Sequence, residues 1–570
     1  MLVEEREVGN SEDYLRHDLG IPTFLARILS SRGVKGAVEL DLDLRELLPP
    51  KGLRGIDKAA KRIVKAICSH ERVLVVGDFD ADGATATALV VSLLRAMGGQ
   101  HIDYVVPNRF EFGYGLTSEI VEIALALDPA IIITVDNGIT SHEGVGTANR
   151  AGVDVIITDH HLPPGELPDA YAIVNPNTVG NEFPTTTLAG VGVAYYLMGV
   201  VRSYLRKLDF FKNMGPEEPN LANWLDLVAL GTIADVVPLD RNNRILVQNG
   251  LMRMRAGRVR PGIKALCESA QRSLDRLSSG DLGYGLGPRL NAAGRLDDIS
   301  VGIKCLLAGD IVEARAYAKT LGDLNQTRRQ IEEDMNTDAL MIMSDVSSDL
   351  LGITLYDSNW HQGVIGIVAS RMREKYHRPV VVFADSGDSN AGLIKGSGRS
   401  VSRVHMRDIF ENIATRNPGL IETFGGHSMA AGLTIKRIHL ELFSNAFSKE
   451  VELQADERDL RGIALSDGVL ADSELVLENA LRIAEFGPWG QGFDEPRFHG
   501  TFEVVNQRSV GGGRHLKLIL RIQSLLLDAI AFNQNPIDST EIKIFYRLDV
   551  NYFGSAPTLQ LVIEDIETVS

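Results

Sequence analysis

The sequence predicts an α/β multidomain protein: a doubly wound parallel sheet, a long connecting helix, a smaller α/β domain and a C-terminal β-barrel. Three observations predict it. Short aliphatic runs alternate with helical patterns from about residue 72 to 240, a long polar amphipathic stretch follows, and the tail is strand-like with Gly-rich turns.

The runs RVLVVG (72–77), HIDYVVP (101–107), AIIITV (130–135) and VDVIIT (153–158) read as buried parallel strands. Between them, ATATALVVSLLRAMG (84–98) and SEIVEIALAL (118–127) read as helices, and this alternation implies a sheet covered on both faces. At about 309–343 the apolar positions Leu321, Leu324, Ile331 and Met335 keep helical spacing, which predicts one connecting helix. A second β–α pattern begins at 352–383, and GGGRHLKLILRI with IKIFYRLDV suggests a small barrel after about 455. Cys68 and Trp224 sit in apolar helical patterns and read as core residues.

A chain of 570 residues exceeds one core, and about two to four domains is the expectation. Its 44% apolar and 23% charged content is ordinary for a globular protein. No apolar run is long enough to span a membrane, and MLVEEREVGN is acidic without an apolar core, which argues against secretion. Three widely spaced cysteines, Cys68, Cys267 and Cys305, form no metal pattern. A cytoplasmic protein with reduced thiols is expected. The net charge of −17 disfavours a general polyanion-binding surface but not a local one.

The chemistry lies at the strand ends. RVLVVG runs into Asp78, Asp80 and Asp82, AIIITV into Asp136-Asn137-Gly138, and VDVIIT into Asp159-His160-His161. Carboxyl ends of parallel strands share one crevice. LVALGTIADVVPL (227–239) adds Asp235 inside an apolar run, where an uncompensated carboxylate is costly. A single Asp after a strand is usually a helix cap or turn former, but four such coincidences point to a metal centre. Carboxylates with imidazole and no thiolate suit Mn²⁺ or Mg²⁺. Two such ions would support phosphodiester or pyrophosphate hydrolysis. Separately, Lys395, Arg399, Arg403 and Arg407 recur every four residues beside SGRS and suggest a phosphate cradle on one helix face, with a loop at Gly396 and Gly398. In the tail, Arg514, His515, Lys517 and Arg547 read as ordinary surface charges.

In order, GDFDADG, VDNGI, DHH and GTIADVVPL resemble the four motifs of the DHH phosphoesterase superfamily. SGRS (397–400) and FGGHSMAAG (424–432) resemble its DHHA1 domain. PNRFEFGYGL, GPRLNAAGR, WHQGVIGIVASR and FGPWGQGFDEPRF are similar to the RecJ family of bacterial single-strand-specific 5′→3′ exonucleases.

The resemblance implies an N-terminal helical segment (1–50), a DHH domain (51–308), a connecting helix (309–345), a DHHA1 domain (346–454) and an oligonucleotide-binding (OB-like) domain (455–570). It implies Asp80, Asp82, Asp136, His160 and Asp235 as ligands of Mn²⁺ or Mg²⁺, with two ions expected and Asp78 beside them. Asp159 would orient the imidazole next to it, and His161 would face the scissile phosphate. His427, after Gly425 and Gly426, would bind the same phosphate, the glycines allowing close backbone approach. Arg295, Ser397 and Arg399 would bind a 5′-phosphate, and Arg109 and Tyr114 would meet the strand.

The implied function is metal-dependent hydrolysis of single-stranded DNA from the 5′ end to mononucleotides, in recombination and repair. Single-stranded DNA is the expected partner, with a single-strand-binding protein and a helicase as further candidates. The alternatives are a phosphoesterase of short oligonucleotides or cyclic dinucleotides, and a non-catalytic binding subunit. The complete ligand set opposes the last of these.

Overall fold

The computed structural model describes residues 2–108, 115–213, 215–344, 350–387, 392–456 and 458–569. The chain forms two compact units, Glu5–Leu324 with Ser466–Ser570, and Met1–Glu4 with Asn325–Leu465.

The first unit contains a parallel sheet of β1 (Val73–Val76), β2 (Ile102–Val105), β3 (Ile131–Val135), β4 (Asp154–Thr158) and β5 (Ala172–Val174), in the order β2-β1-β3-β4-β5. Side chains alternate across a strand, and here both faces are apolar. Val73, Val75, Ile131 and Ile133 enter one core, whereas Leu74, Val76 and Ile132 enter another. Each such Val or Ile contributes roughly 1.5–3 kcal/mol on burial. The first core packs against α1 (Ile56–Cys68) and α2 (Ala81–Ala96), and the second against α3 (Ser118–Leu125) and α4 (His142–Arg150). The sheet is thus covered on both faces, as the near-continuous aliphatic runs require.

Two expectations change. β2 is an edge strand with Asp103 exposed, so HIDYVVP is only partly buried. Cys68, the last residue of α1, is exposed rather than core. Its helical register puts the apolar stripe on Ile56, Ile63 and Ile67 instead. Trp224 is half-buried against the core and donates its Nε1–H to Ser92 Oγ at 2.8 Å.

Four more helices matter below: α5 (Gly190–Lys207), α6 (Leu225–Ala234), α7 (Gly287–Leu296) and the long α8 (Ile311–Ser344), which begins in the first unit and ends in the second. In the same unit as the sheet, a closed barrel is built from β11 (Phe498–Val510), β12 (His515–Ile522), β13 (Leu525–Ala531), β14 (Glu541–Asn551) and β15 (Thr558–Thr568). Lys517 pairs with Asp528 at 2.9 Å and Arg547 with Glu495 at 2.7 Å, so both are neutralised surface charges.

The second unit has a mixed sheet of β6 (Ile353–Tyr356), β7 (Val380–Asp385), β8 (Leu393–Arg399), β9 (Thr423–Gly426) and β10 (Ala430–Lys436), ordered β9-β10-β8-β7-β6. Helix α9 (Ile365–Tyr376) joins the parallel pair β6 and β7. Lys395, Arg399, Arg403 and Arg407 do not share a helix. Lys395 and Arg399 lie in β8, Arg403 is a turn residue at φ +65°, and Arg407 lies in the helix Met406–Arg416. The two glycines are not a loop either. Gly396 and Gly398 are buried, and a Cβ on them would come within 2.5 Å of Phe383 and 2.9 Å of Met406. Lys395, Ser397 and Arg399 therefore share the opposite face of the strand.

Candidate metal centre

The acidic residues of the first motif fold as a strand-to-helix turn at the C-terminal edge of β1. Asp80 caps α2, its Oδ1 accepting from Gly83 N–H at 3.0 Å. Gly83 admits no side chain, because a Cβ there would lie 2.7 Å from Asp78 backbone. Asp82, in the first turn of α2, is buried, and its carboxylate accepts from two backbone amides at the start of α5, Gly190 at 2.6 Å and Val191 at 3.0 Å. Asp136 follows β3 in the left-handed region at φ +62°. Asp235 caps the C-terminus of α6.

His160, after β4, joins these elements. Its Nε2 lies 3.1 Å from Asp136 Oδ1 and 3.5 Å from Asp235 Oδ2. Both His160 Nε2 and Asp235 Oδ2 are buried without a hydrogen-bond partner among the described residues. Ligand atoms converge in three groups, each within 4.8 Å: Asp78, Asp80 and Asp136; Asp82, His160 and Asp235; Asp136, His160 and His161. The first two groups have no residue in common and are bridged by the Asp136–His160 approach. Buried, mutually repelling acceptors of this kind are what hard divalent cations neutralise, so the residues fit such ions.

The electrostatics agree. Burial, then the Asp235 carboxylate, pushes Asp82 up to about 8. Burial and Asp80 push Asp235 up to about 7. Burial, then Asp82, holds Asp136 well above the ordinary carboxylate range. Burial and the neighbouring His161 hold His160 low, which keeps its imidazole neutral and able to ligate.

Asp159 behaves differently. Its Oδ1 accepts from His160 N–H at 2.7 Å, His161 N–H at 3.0 Å and the His161 ring at Nδ1, 2.7 Å, while Oδ2 accepts from Ile139 N–H at 2.9 Å. Burial opposes its charge, but the His161 hydrogen bond outweighs that and keeps it ionised. For His161, burial works against protonation, but the Asp159 bond and charge raise it to about 9. The imidazole that Asp159 orients is therefore that of His161, two residues on, rather than the adjacent His160.

Arg295 lies on α7, which grips the acidic turn. Asn291 Oδ1 of that helix accepts from Ala81 N–H at 2.8 Å, and Gly294 is packed against the Phe79 carbonyl. In the second unit, Arg399 Nη1 donates to Ser397 Oγ at 3.0 Å and to the Gly398 carbonyl at 2.8 Å. His427 is exposed in the hairpin between β9 and β10 and donates its backbone N–H to Ala430 O at 2.7 Å. Of its two preceding glycines only Gly426, at φ +133°, is required by backbone crowding; Gly425 has open space around it. Arg109 and Tyr114 lie outside the described residues.

Sequence reasoning did not anticipate the supports. Gly190 and Val191 act through backbone amides and leave no side-chain signal. Asn175 and Asn177 donate to the carbonyls of His161 and His160 at 2.9 and 2.6 Å. Their NPN run directly after β5 was the available clue.

Comparison with known proteins adds the family. Residues 72–232 match the DHH family N-terminal domain, 349–453 the DHHA1 domain and 466–565 the RecJ OB domain. The chain is 50% identical over 559 residues to the single-stranded-DNA-specific exonuclease RecJ of Dickeya dadantii, covering 96% of each chain. It is 48% identical to that of Escherichia coli, covering 99% of this chain and 98% of the other. The crystal structure of Thermus thermophilus RecJ in complex with Mn²⁺ superposes with a TM-score of 0.82 at 28% identity, over 100% of this chain and 79% of that one. The chain belongs to the RecJ family of single-stranded-DNA-specific exonucleases.

Proposed function

We infer that this protein is a metal-dependent single-stranded-DNA-specific exonuclease that degrades from the 5′ end to 5′-mononucleotides. The observation that carries it is His160 Nε2, buried without a hydrogen-bond partner among the described residues and 3.1 and 3.5 Å from two carboxylates of separate elements. Asp78, Asp80 and Asp136 would hold one Mn²⁺ or Mg²⁺, and Asp82, His160 and Asp235 another. When bound, the ions supply Lewis-acid stabilisation of the phosphoryl group and an ionised water.

The chain's own groups do the rest. Asp82 is aimed by the Gly190 and Val191 amides, so the ligand geometry is set before any cation arrives. Asp159 holds the Nδ1 proton of His161, leaving Nε2–H to donate to a phosphate oxygen. His427, Arg295, Ser397 and Arg399, with Gly425 and Gly426, are assigned to phosphate binding, and Arg109 and Tyr114 to the strand. Ser397 braces the Arg399 guanidinium, whose planar fork matches phosphate oxygens.

The role fits DNA recombination and repair in the cytoplasm, with a single-strand-binding protein and a helicase as partners; no helix of the described residues is long and apolar enough to cross a membrane. Digestion of 5′- and 3′-labelled single and double strands with each metal tests the reading. Single strands should lose the 5′ label first, and Asp136→Ala should abolish cleavage in a folded protein. Degradation from the 3′ end, or retained activity in Asp136→Ala, would overturn it.

A further inference from the structure

Away from the metal centre, α5 contributes its C-terminal half to a groove of about 660 Å³. Residues of the Leu44–Ile56 segment, including Pro49 and Pro50, also line it. Cavities of this volume hold small organic ligands. Arg202 lies twelve residues along α5 from Gly190, about 18 Å at 1.5 Å per residue, so the groove is separate from the acidic turn.

Its lining combines ring faces with cations. Tyr204, half-buried, provides aromatic surface, Tyr195 and Tyr196 are core residues that border the groove, and Lys51, Arg202, Arg206 and Lys207 outnumber the acidic Asp57. Outside the lining, Glu218 pairs with Arg206 but stands 3.6 Å from Arg202 Nε, beyond hydrogen-bond reach. Arg202 Nη1 donates to the Pro219 carbonyl at 3.1 Å, but its Nε is buried without a hydrogen-bond partner among the described residues. An unsatisfied buried donor beside a tyrosine ring and surplus cations suits a flat heterocycle carrying an anion.

We propose that this groove binds a free nucleoside 5′-monophosphate, the base against Tyr204 and the phosphate at Arg202, as a product site distinct from the metal centre. The choice of occupant rests on the exonuclease reading, since mononucleotides are what that reaction releases. α5 ties the groove to the ligand set, because its first amides hold Asp82.

The test is calorimetric titration of dTMP into full-length wild type and Asp136→Ala, both stripped with EDTA so that the metal centre cannot contribute. Thymidine, inorganic phosphate and a short 5′-phosphorylated oligothymidylate serve as comparisons. Both proteins should bind dTMP equally, with thymidine and phosphate each about tenfold weaker or worse. Ser203→Trp, which fills the groove from a half-buried lining position, should abolish binding, and Arg202→Gln should weaken it about tenfold. Absence of dTMP binding to metal-free protein, or binding unchanged in both variants, would overturn the proposal. Equal or tighter binding of the oligothymidylate would overturn the free-product occupant. Because the titrations need no turnover, they fail or succeed independently of the cleavage assay.

Discussion

Asp82 and Gly190, 108 residues apart in sequence, are joined by a 2.6 Å hydrogen bond from the glycine amide to the carboxylate. A Cβ on Gly190 would also lie 2.6 Å from Asp136 Oδ1. One backbone position thus serves two ligands. Gly190→Ala should leave the fold cooperative but lower manganese affinity about 10–100-fold, the range seen when outer partners of metal ligands are lost. Calorimetric titration of Mn²⁺ checks this, and unchanged affinity would remove Gly190 from the design of the centre.

Metal uptake should release protons. Asp82 and Asp235 stand at about 8 and about 7 against an ordinary 3.8, so without cation Asp82 is largely protonated and Asp235 about half protonated near neutral pH. Cations bind only the ionised forms. Manganese titrations at pH 7 in buffers of different ionisation enthalpy should report net proton release, shrinking as the pH rises past 8.

The same shifts set a sign for stability. A carboxyl raised in the folded state binds more protons folded than unfolded, so stability falls as pH climbs from the unfolded value to the folded one. For Asp82 that window runs from 3.8 to about 8. EDTA-treated protein should lose Tm across it, through these groups, and Mn²⁺ should restore more at pH 8 than at pH 6. Asp136→Asn removes a buried charge that Asp82, Asp80 and Asp235 all oppose. Its metal-free form should therefore melt higher than metal-free wild type at pH 8.

Asp159→Asn removes the negative charge of the group that holds the His161 proton at 2.7 Å. Burial lowers His161 and the charges of Asp235 and Asp78 still raise it, so with the Asp159 charge gone its value should fall well below 9. Nitrogen-detected NMR of the imidazole reads this directly. A value still near 9 would show that Asp159 does not set the protonation of His161.

In the second unit, a Cβ on Gly366 would stand 2.9 Å from Arg399 Nη2 and 3.0 Å from Ser397 Oγ. Gly366→Ala should displace the guanidinium. Like Arg399→Lys, it should raise KM for 5′-phosphorylated ends about tenfold, with less effect on 5′-hydroxyl ends. Equal effects on both ends would mean that Arg399 does not read the phosphate.

The strand ends were legible because buried parallel strands write themselves as aliphatic runs, and an Asp or His closing such a run stands out against them. That pattern led to Asp78, Asp80, Asp82, Asp136 and His160, and a carboxylate inside an apolar run to Asp235, all of which the fold brings together. It could not reach the amides of Gly190 and Val191, since any residue carries one. The basic run misled for a related reason. Lys395, Arg399, Arg403 and Arg407 keep a four-residue spacing that suits a helix, but it is also even, so two of them fit one face of a strand. Gly396 and Gly398 settled the matter by leaving room for Phe383 and Met406, a packing reason invisible in one dimension.

The acidic turn after β1 and the ligands around it are held from far downstream: Gly190 at Asp82, Asp235 against His160, Asn291 at Ala81. During translation, the emerging polypeptide should therefore stay inert toward DNA until α7 has left the ribosome. A truncation ending before α7 should, for the same reason, be tolerated by cells that a misregulated nuclease would injure.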